Sequence, residues 1–204
     1  MCSLLSIERQ SYLRFLTHAI IKCYYNYSEM LLCQGQHAVS EPRRAVDCGS
    51  GIGRVTKAVL LRIFQHVDLV DANASFLNEA QRYVGTESSR VDRYICSSLH
   101  EFVPEPGRYD AVWCQWVLGH LSDVDLIAFF RRCKVGLTAH GLILIKENMG
   151  SSPVPEFDEK DCAWTRPRSS WLDLIHRAGL TVVKEEKQKS FPRDLYDVHM
   201  FALH

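Results

Sequence analysis

The sequence predicts an α/β domain: a mostly parallel, seven-stranded sheet with helices on both faces. Three observations carry that expectation. The stretch Asp47-Cys48-Gly49-Ser50-Gly51-Ile52-Gly53-Arg54 is a glycine-rich turn, entered from the apolar Ala45-Val46 and left through the helix-forming run Val55 to Phe64. An acidic residue, Asp71, closes the next apolar run, Val67-Asp68-Leu69-Val70-Asp71. It falls about 20 residues on, where α/β folds that hold nucleosides place a ligand for the ribose hydroxyls. From Arg44 onward strand and helix signals alternate, as they do when parallel strands are joined by crossover helices.

The elements are expected in this order. Ala45–Asp47 reads as the first strand and Val55–Phe64 as its helix; Val67–Asp71 is the second strand, followed by a helix from Ser75 to Tyr83. Val91–Cys96 is the third strand. The turn Pro104-Glu105-Pro106-Gly107 introduces the fourth, Asp110–Gln115. Ser122 with Asp125 three residues later is a capping-box pattern, and the helix it opens runs to about Val135. Leu142–Lys146 is the fifth strand, after an Ala139-His140-Gly141 turn; the helix Ser169–Ala178 stops at Gly179; Leu180–Val183 and Val198–Ala202 are the last two strands. Ligands of such sheets bind beyond the carboxyl ends of the strands. Gly49, Asp71, Leu99, Gln115 and Asn148 all fall at or just past such an end. Residues 1–40 differ from this pattern. They read as a helical, apolar segment set before a single domain of residues 41–204, with an aromatic cluster Tyr24-Tyr25-Asn26-Tyr27.

Bulk properties narrow the function. With 204 residues there is enough chain for one domain with a sizeable core. Twenty-four basic residues balance 24 acidic ones, so no global charge draws the chain to nucleic acid or an anionic membrane. The eight cysteines are scattered and form no C-x-x-C pair, so no metal site is expected and reduced core thiols are. That suits a reducing, intracellular compartment.

The glycine turn alone leaves the cofactor open. A dinucleotide fingerprint wants glycine or alanine at its third conserved position, where helix and strand pack around a pyrophosphate. Here that position is Arg54. S-adenosylmethionine has a carboxylate and no phosphate, and a guanidinium suits a carboxylate. A nicotinamide oxidoreductase is therefore the weaker alternative.

Beyond the turn, Trp113-Cys114-Gln115-Trp116-Val117-Leu118-Gly119-His120-Leu121, Ile145-Lys146-Glu147-Asn148-Met149 and Phe201-Ala202-Leu203 resemble the protein α-N-terminal methyltransferases. The resemblance runs from about Ala45 to the C-terminus. It implies a single Rossmann-like class I methyltransferase domain that uses S-adenosylmethionine to methylate the free amine of proteins beginning Xaa-Pro-Lys or Xaa-Pro-Arg. It implies that Gly49, Gly51, Arg54 and Asp71 hold the amino-acid and ribose parts of the cofactor. Leu99 and His100 border its adenine, with His100 where the family commonly has Gln, and Gln115 meets its methionine end. Trp116, His120, Asn148, Asp158, Asp161 and Tyr196 form the peptide groove, with Glu147 where relatives often have Asp. The family's N-terminal Tyr-Trp pair and glycine-rich segment have no counterpart in residues 1–40, which are divergent. The family also points to nucleus and cytoplasm, and to protein N-termini as partners, with a hetero- or homo-dimer of related methyltransferases as a further expectation.

The chemistry fits those residue types. Only a deprotonated amine can attack a sulfonium methyl group, and a protein α-amine has a pKa of about 7.7–8.0, so a modest base suffices. His120 and Asp161 are the candidate pair, imidazole as acceptor and carboxylate attracting the cation, while Asn148 fixes the peptide terminus. Two other readings stay open: a weakly active or inactive partner protein that keeps the methyltransferase fold, and a small-molecule methyltransferase.

Overall fold

The computed structural model describes residues 44–189 and 195–204, so the helical expectation for residues 1–40 lies outside it. Strand β1 is Arg44–Cys48. The helical segment α1 follows the glycine turn as a π-helical turn, Thr56–Leu60, continued by an α-helical one, Leu61–Ile63. Then come β2 (His66–Asp71), α2 (Ala74–Val84), β3 (Val91–Cys96), β4 (Tyr109–Gln115), α3 (Asp123–Gly136) and β5 (Leu137–Met149). A short ribbon, β6 (Glu156–Asp158) and β7 (Ala163–Thr165), leads to α4 (Arg168–Arg177), β8 (Val182–Lys187) and β9 (Asp197–Leu203).

Seven strands form one sheet in the order β3-β2-β1-β4-β5-β9-β8. All the pairings from β3 through β5 are parallel, and β9 runs antiparallel to both neighbours. The central strands are apolar on both faces because both are covered. Val46, Val112, Cys114, Ile143 and Ile145 face a core built with Leu126, Phe129 and Phe130 of α3 and Trp171 and Leu174 of α4. Their neighbours Ala45, Ala111, Trp113, Leu142 and Leu144 face the opposite core, with Val59 and Leu60 of α1 and Leu77 and Ala80 of α2. The period of two along each strand thus sorts one run of residues into two cores. The buried Asp68 on β2 interrupts the pattern and is paired, accepting from Tyr109 Oη (2.7 Å) and Arg108 Nε (3.0 Å).

Two expectations are corrected, and one feature is added. The turn Ala139-His140-Gly141 does not precede β5 but lies inside it. Leu137 pairs with Tyr109 and Leu142 with Ala111, so residues 138–141 form a bulge between two paired stretches. The strand expected at Leu180–Val183 is Val182–Lys187, charged along most of its length because it is the sheet's edge. The ribbon β6–β7 was not expected at all. The cap of α3 is as read: Ser122 Oγ accepts from Asp125 N–H (3.2 Å), but the Asp125 carboxylate returns to the Ser122 hydroxyl instead of its backbone.

Candidate active site

Both clefts of interest open beyond the carboxyl ends of the parallel strands. The first is built on the glycine turn. Gly49 N–H and Ser50 N–H both donate to Val70 O (2.8 and 3.0 Å), which ties the turn to the end of β2. Gly49 has φ +72°, and a Cβ there would stand 2.4 Å from Val117 Cγ2. No other residue fits that position. A Cβ at Gly51 would meet nothing within 4 Å, so its backbone faces open space. Asp71 is aimed by two amides: Oδ2 accepts from Gly51 N–H and Oδ1 from Asn73 N–H, both at 2.8 Å. Each oxygen keeps a further lone pair, which suits the two hydroxyls of a ribose.

Gly49, Gly51, Asp71, Leu99 and His100 line one cleft of about 490 Å³, with Trp116 and His120 at its other side. That is room for a nucleoside-sized ligand. Arg54 and Gln115, also expected at the cofactor, are not among its walls. Arg54 is exposed just after the turn. Gln115 ends β4 with its Oε1 buried and without a partner among the described residues. The turn and the aimed carboxylate together fit a nucleoside-bearing ligand.

Behind the turn, Asp47 is fully buried and accepts from Thr56 Oγ1 (2.6 Å) in the π-helical turn. Burial pushes its carboxyl up to about 6, despite that bond.

The second cleft, about 610 Å³, shares Trp116 and His120 with the first. Asn148, Asp158, Asp161 and Tyr196 line it as expected, so the structure brings all six groove residues together. Trp116 stands at φ +51°, an uncommon backbone state for a large residue. It is held there by its N–H donating to Lys146 O (3.0 Å), by its indole Nε1–H donating to Asn148 Oδ1 (3.1 Å), and by the Lys146 ammonium 5.0 Å from the ring. With its carbonyl engaged, Asn148 presents its NH₂ as donor. His120 lies 3.3 Å through Nδ1 from the carbonyl oxygen of Cys162. A carbonyl only accepts, so Nδ1 carries the proton and Nε2 of the neutral ring keeps its lone pair. Asp158 Oδ1 accepts from Lys160 N–H (2.8 Å) and caps the ribbon's tip, where Asp161 sits. Tyr196 donates from Oη to Glu156 Oε2 (3.1 Å), which raises its phenol.

Among the groove residues not read from the sequence as site residues are Glu147 and Trp164. Glu147 accepts from Val117 N–H (3.0 Å) and Leu118 N–H (2.9 Å), so it pins the turn that carries Trp116 and His120. Burial pushes its carboxyl up to about 7, against those two bonds and the charge of Arg166. Its place beside Asn148 at a strand's carboxyl end was the available signal. Trp164 had none, since β7 is too short to show a period.

The comparisons agree with this geometry. The sequence matches the family described as AdoMet dependent proline di-methyltransferase over residues 16–204, reaching into the segment set apart above. N-terminal Xaa-Pro-Lys N-methyltransferase 1 of Danio rerio is 47% identical over 159 residues, 78% of this chain and 71% of the relative. The Homo sapiens protein of that name is 45% identical over the same shares. Among solved structures, a SAM-dependent methyltransferase from Leishmania major superposes with a TM-score of 0.77 at 33% identity, over 82% of this chain and 67% of that one. Glycine turn, ribose acceptor and sequence therefore converge: this chain belongs to the family of S-adenosylmethionine-dependent proline di-methyltransferases.

Proposed function

We propose that the chain methylates the α-amino group of proteins that begin Xaa-Pro-Lys or Xaa-Pro-Arg. The observation that carries this reading is the joining of the two clefts at Trp116 and His120, with the cofactor residues on one side and Glu147, Asp158 and Asp161 on the other. An acidic groove favours a cationic terminus and a basic third residue. The names of the relatives above support the same substrate class.

The bound cofactor supplies a methyl carbon made electrophilic by a positively charged sulfur. The protein's residues do the rest. The Asn148 NH₂ group receives the carbonyl of the first substrate residue, and the Trp116 ring walls the proline. Asp161 draws in the ammonium form of the amine. His120 Nε2 then takes its proton, which at pH 7 costs only about 1 kcal/mol given the α-amine pKa of about 7.7–8.0. Glu147 holds the Val117–Leu118 backbone, and so the spacing of Trp116 from His120. Asp158, with Glu156 nearby on the ribbon, meets the Lys or Arg at position three.

A peptide beginning Ser-Pro-Lys, incubated with the full chain and S-adenosylmethionine, gains mass in methyl increments, and its N-acetylated copy gains none. Methyl groups on the lysine of the acetylated copy would overturn the assignment.

A further inference from the structure

We propose that Arg132 is a positioning residue for base recognition: it turns the Leu99–His100 peptide so that the His100 N–H faces the adenine of the cofactor. Nothing in the proposal depends on the peptide substrate.

The glycine turn, Asp71 and the segment Ser97–His100 follow β1, β2 and β3, which are adjacent in the sheet. A nucleoside whose ribose sits at Asp71 therefore has its base beside residues 97–100. That segment has few backbone bonds of its own. Ser97 N–H donates to Asp71 O (3.0 Å), and Glu101 and Phe102 N–H both donate to Ser98 O (3.1 and 2.9 Å). Leu99 and Phe102 bury their side chains in the α3 core. Their carbonyls, with that of His100, go to a single side chain. Arg132 Nε donates to Phe102 O (2.9 Å), and Nη2 donates to Leu99 O (2.7 Å) and His100 O (3.0 Å). The guanidinium rests 5.9 Å from the Phe129 ring centre. A planar fork of donors can collect three carbonyls where an ammonium cannot hold all of them in place.

The consequence follows from peptide geometry. Among the described residues no peptide bond is cis, so the His100 N–H points opposite the Leu99 carbonyl. Drawing that carbonyl toward α3 sends the N–H the other way, toward the cleft that His100 lines. No acceptor among the described residues meets it. N1, N3 and N7 of adenine are acceptors, and one of them completes the bond. The remaining contact of this loop with α3, His100 Nε2 at 3.7 Å from Asp125 Oδ2, is too long to fix the peptide plane.

The test is calorimetric, on the full chain, with S-adenosylhomocysteine and analogues in which one ring nitrogen of adenine is replaced by C–H. Wild type loses affinity for at least one of these analogues. Arg132→Lys and Arg132→Met each weaken S-adenosylhomocysteine about 10-fold or more, the range of a few charge-assisted hydrogen bonds. More tellingly, they lose most of the discrimination against that analogue, which a general loss of stability would not erase. Thermal melts identify a variant that has simply unfolded, and Arg132→Lys, keeping charge and stem, is the one expected to melt like wild type. Folded variants with unchanged affinity, or weakened variants that discriminate as sharply as wild type, would overturn the proposal.

Discussion

At the scale of single residues, the groove works through partners already engaged. Asn148 has one face occupied by the Trp116 indole and one available to substrate. Asn148→Lys therefore removes an acceptor from Trp116 and sets a cation where an ammonium must enter. We expect methyl transfer to fall below detection, with cofactor affinity falling far less because Asn148 reaches the cofactor cleft only through Trp116; single-turnover rates and calorimetry measure the two separately. His120 gives a second prediction, with a pH dependence. If Nε2 takes the amine's proton, His120→Ala slows transfer on the order of 10²–10⁴-fold near pH 7. The deficit shrinks above about pH 8, where the α-amine loses its proton unaided. A pH–rate profile in which the deficit stays constant would remove the base role. Asn148 and His120 were named through the family motifs that carry them. The same motifs contain Glu147 but do not show its role. Its importance lies in burial and in the two backbone amides it collects, and neither leaves a mark in the sequence.

At the scale of elements, the ribbon β6–β7 decides the width of the groove. It packs on the turn Leu118–His120 through Gly119, where an added Cβ would stand 3.0 Å from the backbone oxygen of Trp164. The ribbon carries Asp158 and Asp161 as one unit, with the Phe157 and Trp164 rings tilted at 47° and their centres 4.8 Å apart. Gly119→Ala should push that unit outward. The expected result is a raised peptide KM, about 5-fold if the roughly 1 kcal/mol low end of overpacking falls on the bound state, with cofactor affinity preserved. Gly49→Ala should do the reverse. Its Cβ collides with Val117 and its φ opposes any side chain, so cofactor affinity is lost first. Equal effects of both substitutions on both affinities would show that the clefts are not separable in this way. The parallel strands were legible because double-sided burial leaves unbroken apolar runs. The ribbon was not, because its strands are only three residues long, too short to show a period, and β6 is exposed along its whole length. The bulge in β5 was read as a turn for a sound local reason: Ala-His-Gly does leave the ladder, but β4 pairs with the chain on either side of it.

At the scale of the whole molecule, the sheet sets acids near the carboxyl ends of its strands and buries two of them. Asp47 and Glu147 stand near the carboxyl ends of β1 and β5, and desolvation raises the first to about 6 and the second to about 7. In the unfolded chain they titrate near 3.8 and 4.5. The folded state therefore binds more protons than the unfolded state between those values, and stability must fall as pH rises through the window. Well below about 3.8 both groups are largely neutral in either state and cost little; above about 7 both are charged in either state and the full penalty is present. The ion-paired carboxylates Asp92, Glu105 and Glu185, held below their ordinary values by Arg44 and His66, Arg93 and Arg108, and Arg168 and His199, act in the opposite sense. Their contribution is lost as pH falls below the ordinary carboxylate range, so the two effects occupy different windows. Glu147→Gln keeps a carbonyl oxygen for the Val117 and Leu118 amides but cannot ionise. We expect its melting temperature to exceed that of wild type at pH 8, with the gap closing by about pH 5. Asp47→Asn, which keeps an acceptor for Thr56, should show the same gap closing at lower pH. Melting curves for Glu147→Gln and wild type that run parallel from pH 5 to 8 would mean that Glu147 is not charged at a cost. Its hold on the Trp116–His120 turn would then need another source than a carboxylate kept from water.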